Sequence, residues 1–164
     1  MARHPRLVFL VFNVGLYNLA DGDYYISERK YIEYMHKTSF HILRVGLAIT
    51  FLWIGILIIK DPEAWGGYLQ PWAASLLPIP IKEVMIGTGV VDIAIGFLFL
   101  IDSFIWIVAL VGAIHLIIVL TTSGINEGTV RDIGILSGVI ALMADSLPAT
   151  FVKKIKSWQK ENKM

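Results

Sequence analysis

Residues 104–121 read FIWIVALVGAIHLIIVLT, a run that contains no Asp, Glu, Lys or Arg. As a helix, with about 1.5 Å of rise per residue, this run covers about 27 Å, close to the roughly 30 Å hydrocarbon core of a bilayer. Three further apolar stretches of similar length, each with one to three charged residues, lie at residues 40–59, 84–101 and 130–147. Backbone groups cannot stay unpaired in lipid, so runs of this length are expected to cross as helices. The sequence predicts an all-α integral membrane protein, a four-helix transmembrane bundle.

The composition supports a membrane protein and excludes several kinds of chemistry. Of the 164 residues, 56% are hydrophobic and 16% are charged, whereas soluble domains have about 45–50% and about 25%. Cysteine is absent, which excludes disulfides, thiolate metal sites and iron–sulfur clusters as intrinsic chemistry. Bis-histidine haem is not expected, because His41 lies about 15 Å from His115 in depth. We therefore predict no metal and no intrinsic cofactor.

Charge distribution predicts the orientation and argues against nucleic-acid binding. The net charge is +1, and no basic run occurs outside the termini, whereas nucleic-acid binding needs a clustered basic face. Basic residues near one set of span ends are Arg29, Lys30, Lys37, Lys153, Lys154, Lys156, Lys160 and Lys163, and those near the other are Lys60, Lys82 and Arg131. Basic residues favour the cytoplasmic side. We therefore predict a multi-pass cell-membrane protein with both termini in the cytoplasm.

The distribution of charged and apolar residues divides the chain into three parts. They are a cytoplasmic N-terminal segment (1–37), a transmembrane domain (38–147) and a basic cytoplasmic tail (148–164). The apolar stretch 7–19 has the length of a signal-peptide core but no good cleavage site, so an interfacial helix is expected there. Translation from either Met1 or Met35 is consistent with the sequence.

The long connection between the first two spans is expected to lie in the membrane interface. It covers residues 60–83 and carries Trp65, Tyr68 and Trp72. Such aromatic side chains anchor segments at the level of the lipid head groups. The alternative is a solvated loop, which would leave its leucines uncovered.

Two polar residues inside the predicted spans are the candidate catalytic residues. Gly89 and Gly96 flank Asp92 at helical spacing, and Gly112 precedes His115 by one turn. Small residues let helices approach closely, so both polar side chains are expected to point inward. At about 1.5 Å per residue they lie about 14 and 16 Å from the same membrane surface. We predict an inward pair at matching depth.

This pair has two interpretations. A charge at the bilayer centre costs about 2.5–3.5 kcal/mol on insertion scales, so a shared proton between Asp92 and His115 suits a proton relay or a quinone contact. The alternative is structural: a protonated Asp92 that hydrogen-bonds across helices, and a His115 that bonds to one carbonyl group.

Three other residues are expected to have structural roles. Arg44 lies near the cytoplasmic end of the first span, where its guanidinium is expected to extend to lipid phosphates. Gly134 and Gly138 have the Gly-x-x-x-Gly spacing that is typical of close helix packing.

A candidate substrate-binding group lies at the opposite surface. Lys82 and Arg131 stand at the N-termini of two predicted spans, with Asp132 beside Arg131. Cationic side chains and helix N-termini together favour a small anion. The alternative is that Glu83, Glu127 and Asp132 neutralise both cations in interfacial ion pairs.

Three short motifs in this order resemble the DoxX family of small four-helix bacterial membrane proteins. They are ILR at 42–44, DIAIG at 92–96 and VRDIGIL at 130–136. The resemblance covers about residues 38–147 and is most specific in the third motif. Two features depart from it: Asp92 stands where the family more often has Glu, and the first 37 residues have no recognised counterpart.

The resemblance implies a bacterial inner-membrane protein that associates with oxidoreductases, as the related DoxD subunit of thiosulfate:quinone oxidoreductase does. The expected function is a membrane subunit of a quinone-linked oxidoreductase, with a diffusible quinone as the only cofactor. The expected partners are the lipid bilayer, an oxidoreductase subunit and a second copy of the chain. A non-catalytic anchor for redox proteins is the alternative. A small transporter is less favoured, because neither internal repeats nor paired broken helices are present.

Overall fold

The computed structural model describes residues 23–161, with side chains for residues 30–154, 157 and 158. The interfacial helix predicted at 7–19 lies outside this range. The described residues are helical throughout, with short connections and no strand. The helices are α1 (Asp23–Lys60), α2 (Pro62–Gly66), α3 (Pro71–Ser75), α4 (Ile81–Leu100), α5 (Ile105–Ser123), α6 (Val130–Asp145) and α7 (Ala149–Glu161).

Within the described range, three helices are long and apolar enough to cross a membrane. They are Lys30–Lys60 of α1, Ile81–Leu100 and Ile105–Ser123. The 16 residues of α6 would rise about 24 Å, which is shorter than the hydrocarbon core. A fourth crossing over residues 130–147 stays a prediction.

The chain divides into two compact units, Met1–Lys37 and Thr38–Met164. In the first unit every described side chain, from residue 30 to residue 37, is exposed. Lys37 Nζ lies 2.7 Å from Glu33 Oε1, one helical turn earlier. Burial therefore does not stabilise the described side chains of this unit.

The second unit has a core built from α1, α4, α5 and α6. Its centre consists of side chains that are fully buried: Ala48, Phe99, Ala109, Val139 and Leu142. Buried positions recur every three or four residues along each helix, as expected for helices that bury one face. The opposite faces carry exposed Ile, Val and Leu side chains, as lipid contact would require.

Glycines bring α1 and α4 into backbone contact. A Cβ on Gly96 would lie 2.7 Å from Leu52 N and 2.8 Å from Ala48 O. A Cβ on Gly55 would lie 2.6 Å from Gly89 O. Real Cβ atoms do not approach backbone atoms this closely, so the crossing requires glycine at these positions.

The buried face of α6 differs from the face predicted from its small residues. Gly134 is exposed, and nothing lies within 4 Å of the position its Cβ would take, while Gly138 packs on leucines of α1. Asp132, Val139 and Leu142 are buried instead. α1 and α4 already approach each other closely at their own glycines. The larger side chains of α6 therefore fill the bundle centre, because protein interiors pack to high density. Within the described part of this chain, Gly134 therefore packs against no neighbouring helix, and a packing role for it stays a prediction.

The connection between α1 and α4 folds back over one end of the bundle. Its residues 61–80, here called the roof segment, include α2 and α3. Asp61 caps α2, its Oδ1 accepting from Ala64 N at 3.2 Å. Gln70 docks the segment on α5, because its backbone N donates to Thr122 O at 2.9 Å and its Nε2 donates to Ser123 O at 3.1 Å.

Candidate functional site

The two candidate catalytic residues are in direct contact. Asp92 Oδ1 on α4 lies 3.0 Å from His115 Nε2 on α5. The two side chains are 6% and 15% exposed. The antiparallel arrangement of α4 and α5 places them at matching depth, as the sequence predicted. The structure shows that the two side chains are in contact, and a catalytic role for the pair stays a prediction.

The Asp92–His115 pair lines a cavity of about 410 Å³. Its walls come from α1, α4, α5 and α6, and the roof segment contributes Trp65 and Tyr68. Most of the lining is apolar, which is typical of sites for small organic molecules, as is this volume. The titratable or charged lining residues are Tyr68, Asp92, His115, Arg131 and Asp132. Neither Trp65 nor Tyr68 was selected as a site residue from the sequence.

Asp132 joins the cavity from the first turn of α6. Its side chain is 11% exposed, and its closest cationic atom is Arg131 Nε at 3.7 Å. It is close enough to Asp92 and His115 for their charges to act on its carboxyl group. A carboxylate in the first turn of a helix also interacts favourably with the helix dipole. The structure therefore groups Asp132 with the inward pair as well as with Arg131.

A compact turn before α6 allows this helix to begin beside the cavity. Asn126 Oδ1 accepts from Gly128 N at 2.8 Å and from Thr129 N at 3.1 Å. Thr129 Oγ1 donates to Gly124 O at 2.6 Å and accepts from Asn126 N at 3.0 Å. These bonds satisfy backbone groups within the turn itself, which fixes the point at which α6 begins.

The two cations predicted to bind an anion have separate carboxylate neighbours. The Arg131 guanidinium lies 5.7 Å from the ring centroid of Trp65, a cation–π arrangement, and pairs with Asp132. Lys82 Nζ lies 3.9 Å from Glu63 Oε1 and does not line the cavity. The Arg131–Asp132 pair is therefore one of the ion pairs that the sequence left open. Lys82 pairs instead with Glu63, which was not among the carboxylates expected, and anion binding by Lys82 and Arg131 stays a prediction.

Arg44 is buried in the bundle and does not extend to the membrane surface as expected. Its Nη1 donates to Phe99 O, and to Leu100 O at 3.1 Å. Its Nε lies 3.6 Å from Asp102 Oδ1, but without a hydrogen bond. The last carbonyl groups of a helix lack intrahelical donors, so Arg44 caps the C-terminus of α4. Finding this contact from sequence would have required the position at which α4 ends.

The arrangement is suited to acid–base chemistry and hydrogen bonding in apolar surroundings. A carboxyl group and an imidazole can exchange one proton and present a donor to a ligand oxygen. Among the described side chains, no group of three or more His, Asp or Glu residues is placed to hold a metal ion.

Comparison with known proteins gives no relative: no family model, curated protein or solved structure matches this chain.

Proposed function

We propose that this protein is a DoxX-type membrane subunit of a quinone-linked oxidoreductase, and that its cavity binds the head group of a diffusible quinone. The observation that carries the proposal is the Asp92–His115 contact in the wall of an otherwise largely apolar cavity. In the proposed bundle α6 is the fourth crossing, and both termini face the cytoplasm. The roof segment then lies on the opposite side of the membrane.

Quinone chemistry accounts for the combination of groups in this cavity. The ring of a quinone is apolar and planar, so it suits a space bordered by Phe51, Trp65 and Tyr68. Its carbonyl oxygens need hydrogen-bond donors, which a protonated His115 or Asp92 supplies. Reduction of a quinone to a hydroquinone takes two electrons and two protons. The acid–base groups of the cavity donate the protons, and a partner electron-transfer protein supplies the electrons.

Tryptophan fluorescence offers a direct test, because quinones quench an indole that they contact. Menadione is titrated into the lipid-reconstituted protein and into two variants, Trp65→Phe and Trp53→Phe. Trp65 lines the cavity, whereas Trp53 on α1 is 64% exposed and lies outside the lining. We expect saturable quenching that survives in Trp53→Phe and is lost in Trp65→Phe.

A second pair of variants tests the polar contacts to the quinone. Asp92→Asn and His115→Gln should each weaken saturable binding by about tenfold, which corresponds to one lost hydrogen bond of about 1.4 kcal/mol. Quenching that rises linearly and equally in both Trp variants would reflect simple partition into lipid. It would leave the non-catalytic anchor as the better account.

A further inference from the structure

The two ends of the bundle differ in the exposure of the polar side chains near the cavity. On the side of the cavity away from the roof segment, the bundle is filled by fully buried apolar side chains, among them Phe99, Val139 and Leu142. Phe99 lies seven residues beyond Asp92 on α4, about 10 Å along the helix. Beyond this apolar layer lies Arg44, whose Nη1 is already bonded to the carbonyl groups of α4. Among the side chains that the structure describes, no chain of polar groups connects this end with the cavity.

The cavity lining near the roof segment differs from the buried apolar layer at the other end, because several of its residues are also exposed. Tyr68 is 48% exposed, and the side chain of Arg131 is 50% exposed. Asp132 lines the same cavity as Arg131, Asp92 and His115, and its Oδ1 lies 3.7 Å from Nε of the half-exposed Arg131. Among the described side chains, polar groups therefore lead from the exposed surface to the buried pair at the roof-segment end alone.

We infer that the cavity exchanges water and protons only with the aqueous phase on the roof-segment side. This inference rests on the proposed function for its consequence: the two protons taken up when a bound quinone is reduced come from that phase. A partner electron-transfer protein supplies the two electrons.

The titratable or charged groups that face the cavity are Asp92 from α4, His115 from α5, Arg131 and Asp132 from α6, and Tyr68 from the roof segment. The lining residues from α1 carry no titratable side chain.

Thiol labelling from each side of a sealed membrane tests the access route, and the cysteine-free chain provides a clean background. Thr88→Cys places a thiol in the cavity lining. Ser75→Cys and Thr150→Cys, both at exposed positions, mark the roof-segment side and the opposite side. Val139→Cys places a thiol in the apolar layer. The reagent is a membrane-impermeant, cationic methanethiosulfonate.

The expected result is that Thr88→Cys reacts from the side on which Ser75→Cys reacts. Its rate from that side should be at least about tenfold higher than from the side of Thr150→Cys, because thiol modification follows access. Val139→Cys should react from neither side. Labelling of Thr88→Cys from the Thr150→Cys side, labelling from neither side, or ready labelling of Val139→Cys would each overturn the inference.

Duroquinone, whose fully substituted ring has no free position for thiol addition, separates this inference from the proposed function. If Thr88→Cys reacts from the expected side but duroquinone does not slow the reaction, the access route stands and the quinone assignment fails. If duroquinone protects Thr88→Cys but the thiol reacts from the Thr150→Cys side, the quinone site stands and the access route is overturned.

Discussion

Asp92 Oδ1 and His115 Nε2 lie 3.0 Å apart on antiparallel helices, and both side chains are largely buried. Burying either side chain without the other among apolar neighbours would cost free energy, because its polar group would lack a hydrogen-bond partner. Together they need only one proton between them to form a hydrogen bond. The pair can therefore remain inside the bundle in a state that is ready to give or take a proton.

This contact predicts energetic coupling between the two residues. We expect Asp92→Asn and His115→Gln to show an interaction energy of about 0.5–2 kcal/mol in a double-mutant cycle, the range for residues in contact. The measurement is reversible unfolding in bilayer-mimetic conditions. Thr50→Val, a lining position outside the pair, provides the control and should add independently to either variant. Strict additivity of Asp92→Asn and His115→Gln would argue that the contact contributes nothing.

The cap formed by Arg44 predicts an ordered series of stability losses. Arg44→Leu removes hydrogen bonds from a charged donor, so it should lower the free energy of unfolding by about 1.5–3 kcal/mol. Arg44→Lys should lower it less, because an ammonium keeps the charge but not the planar fork. Asp102→Asn should cost less than about 1 kcal/mol, because Asp102 is half exposed. A larger loss in Asp102→Asn than in Arg44→Leu would contradict the capping role.

Two glycines on different helices, Gly96 of α4 and Gly134 of α6, should respond in opposite ways to alanine. Gly96→Ala forces a Cβ to within 2.8 Å of backbone atoms of α1, which should destabilise the bundle by about 1–3 kcal/mol. Gly134→Ala meets no atom within 4 Å and should be neutral or stabilising by up to about 1 kcal/mol, since alanine favours helices. Thermal unfolding of both variants in the same lipid compares them directly. Destabilisation by Gly134→Ala would indicate that a second copy or another partner packs on this face.

The basic-residue bias predicts that the C-terminal helix faces the cytoplasm. Trp158 is 64% exposed, so Trp158→Cys provides a reactive site in a chain without other thiols. In intact cells an impermeant maleimide should leave this cysteine unlabelled, and labelling should appear after the membrane is permeabilised. Ser75→Cys is the matched control and should show the opposite behaviour. Labelling of Trp158→Cys in intact cells would reverse the proposed orientation.

The sequence predicted the parts of the fold that depend on local pattern. Hydropathy located the cores of α1, α4 and α5 because a membrane span must be apolar over its whole length. Helical spacing placed Asp92 and His115 inward because both belong to stripes of small residues. Their depths then followed from counting residues along two antiparallel helices.

Other features depend on tertiary contacts that carry no local signal. Arg131 and Asp132 are adjacent, so their side chains point about 100° apart on a helix and only packing decides which is buried. The docking of Gln70 on the end of α5 joins positions 53 residues apart through Ser123. No spacing of residues along the roof segment indicates this contact. The volume and lining of the cavity could not be predicted for the same reason.

The cap on α4 also bears on how the protein enters the membrane. Arg44 leaves the ribosome 55 residues before Phe99, whose carbonyl oxygen it finally contacts. In the proposed membrane topology, we expect its guanidinium to pair with water or lipid phosphates during that interval, which would hold the early part of α1 near the head groups. The contact with α4 can then fix the depth of α1 only after the end of α4 has been synthesised.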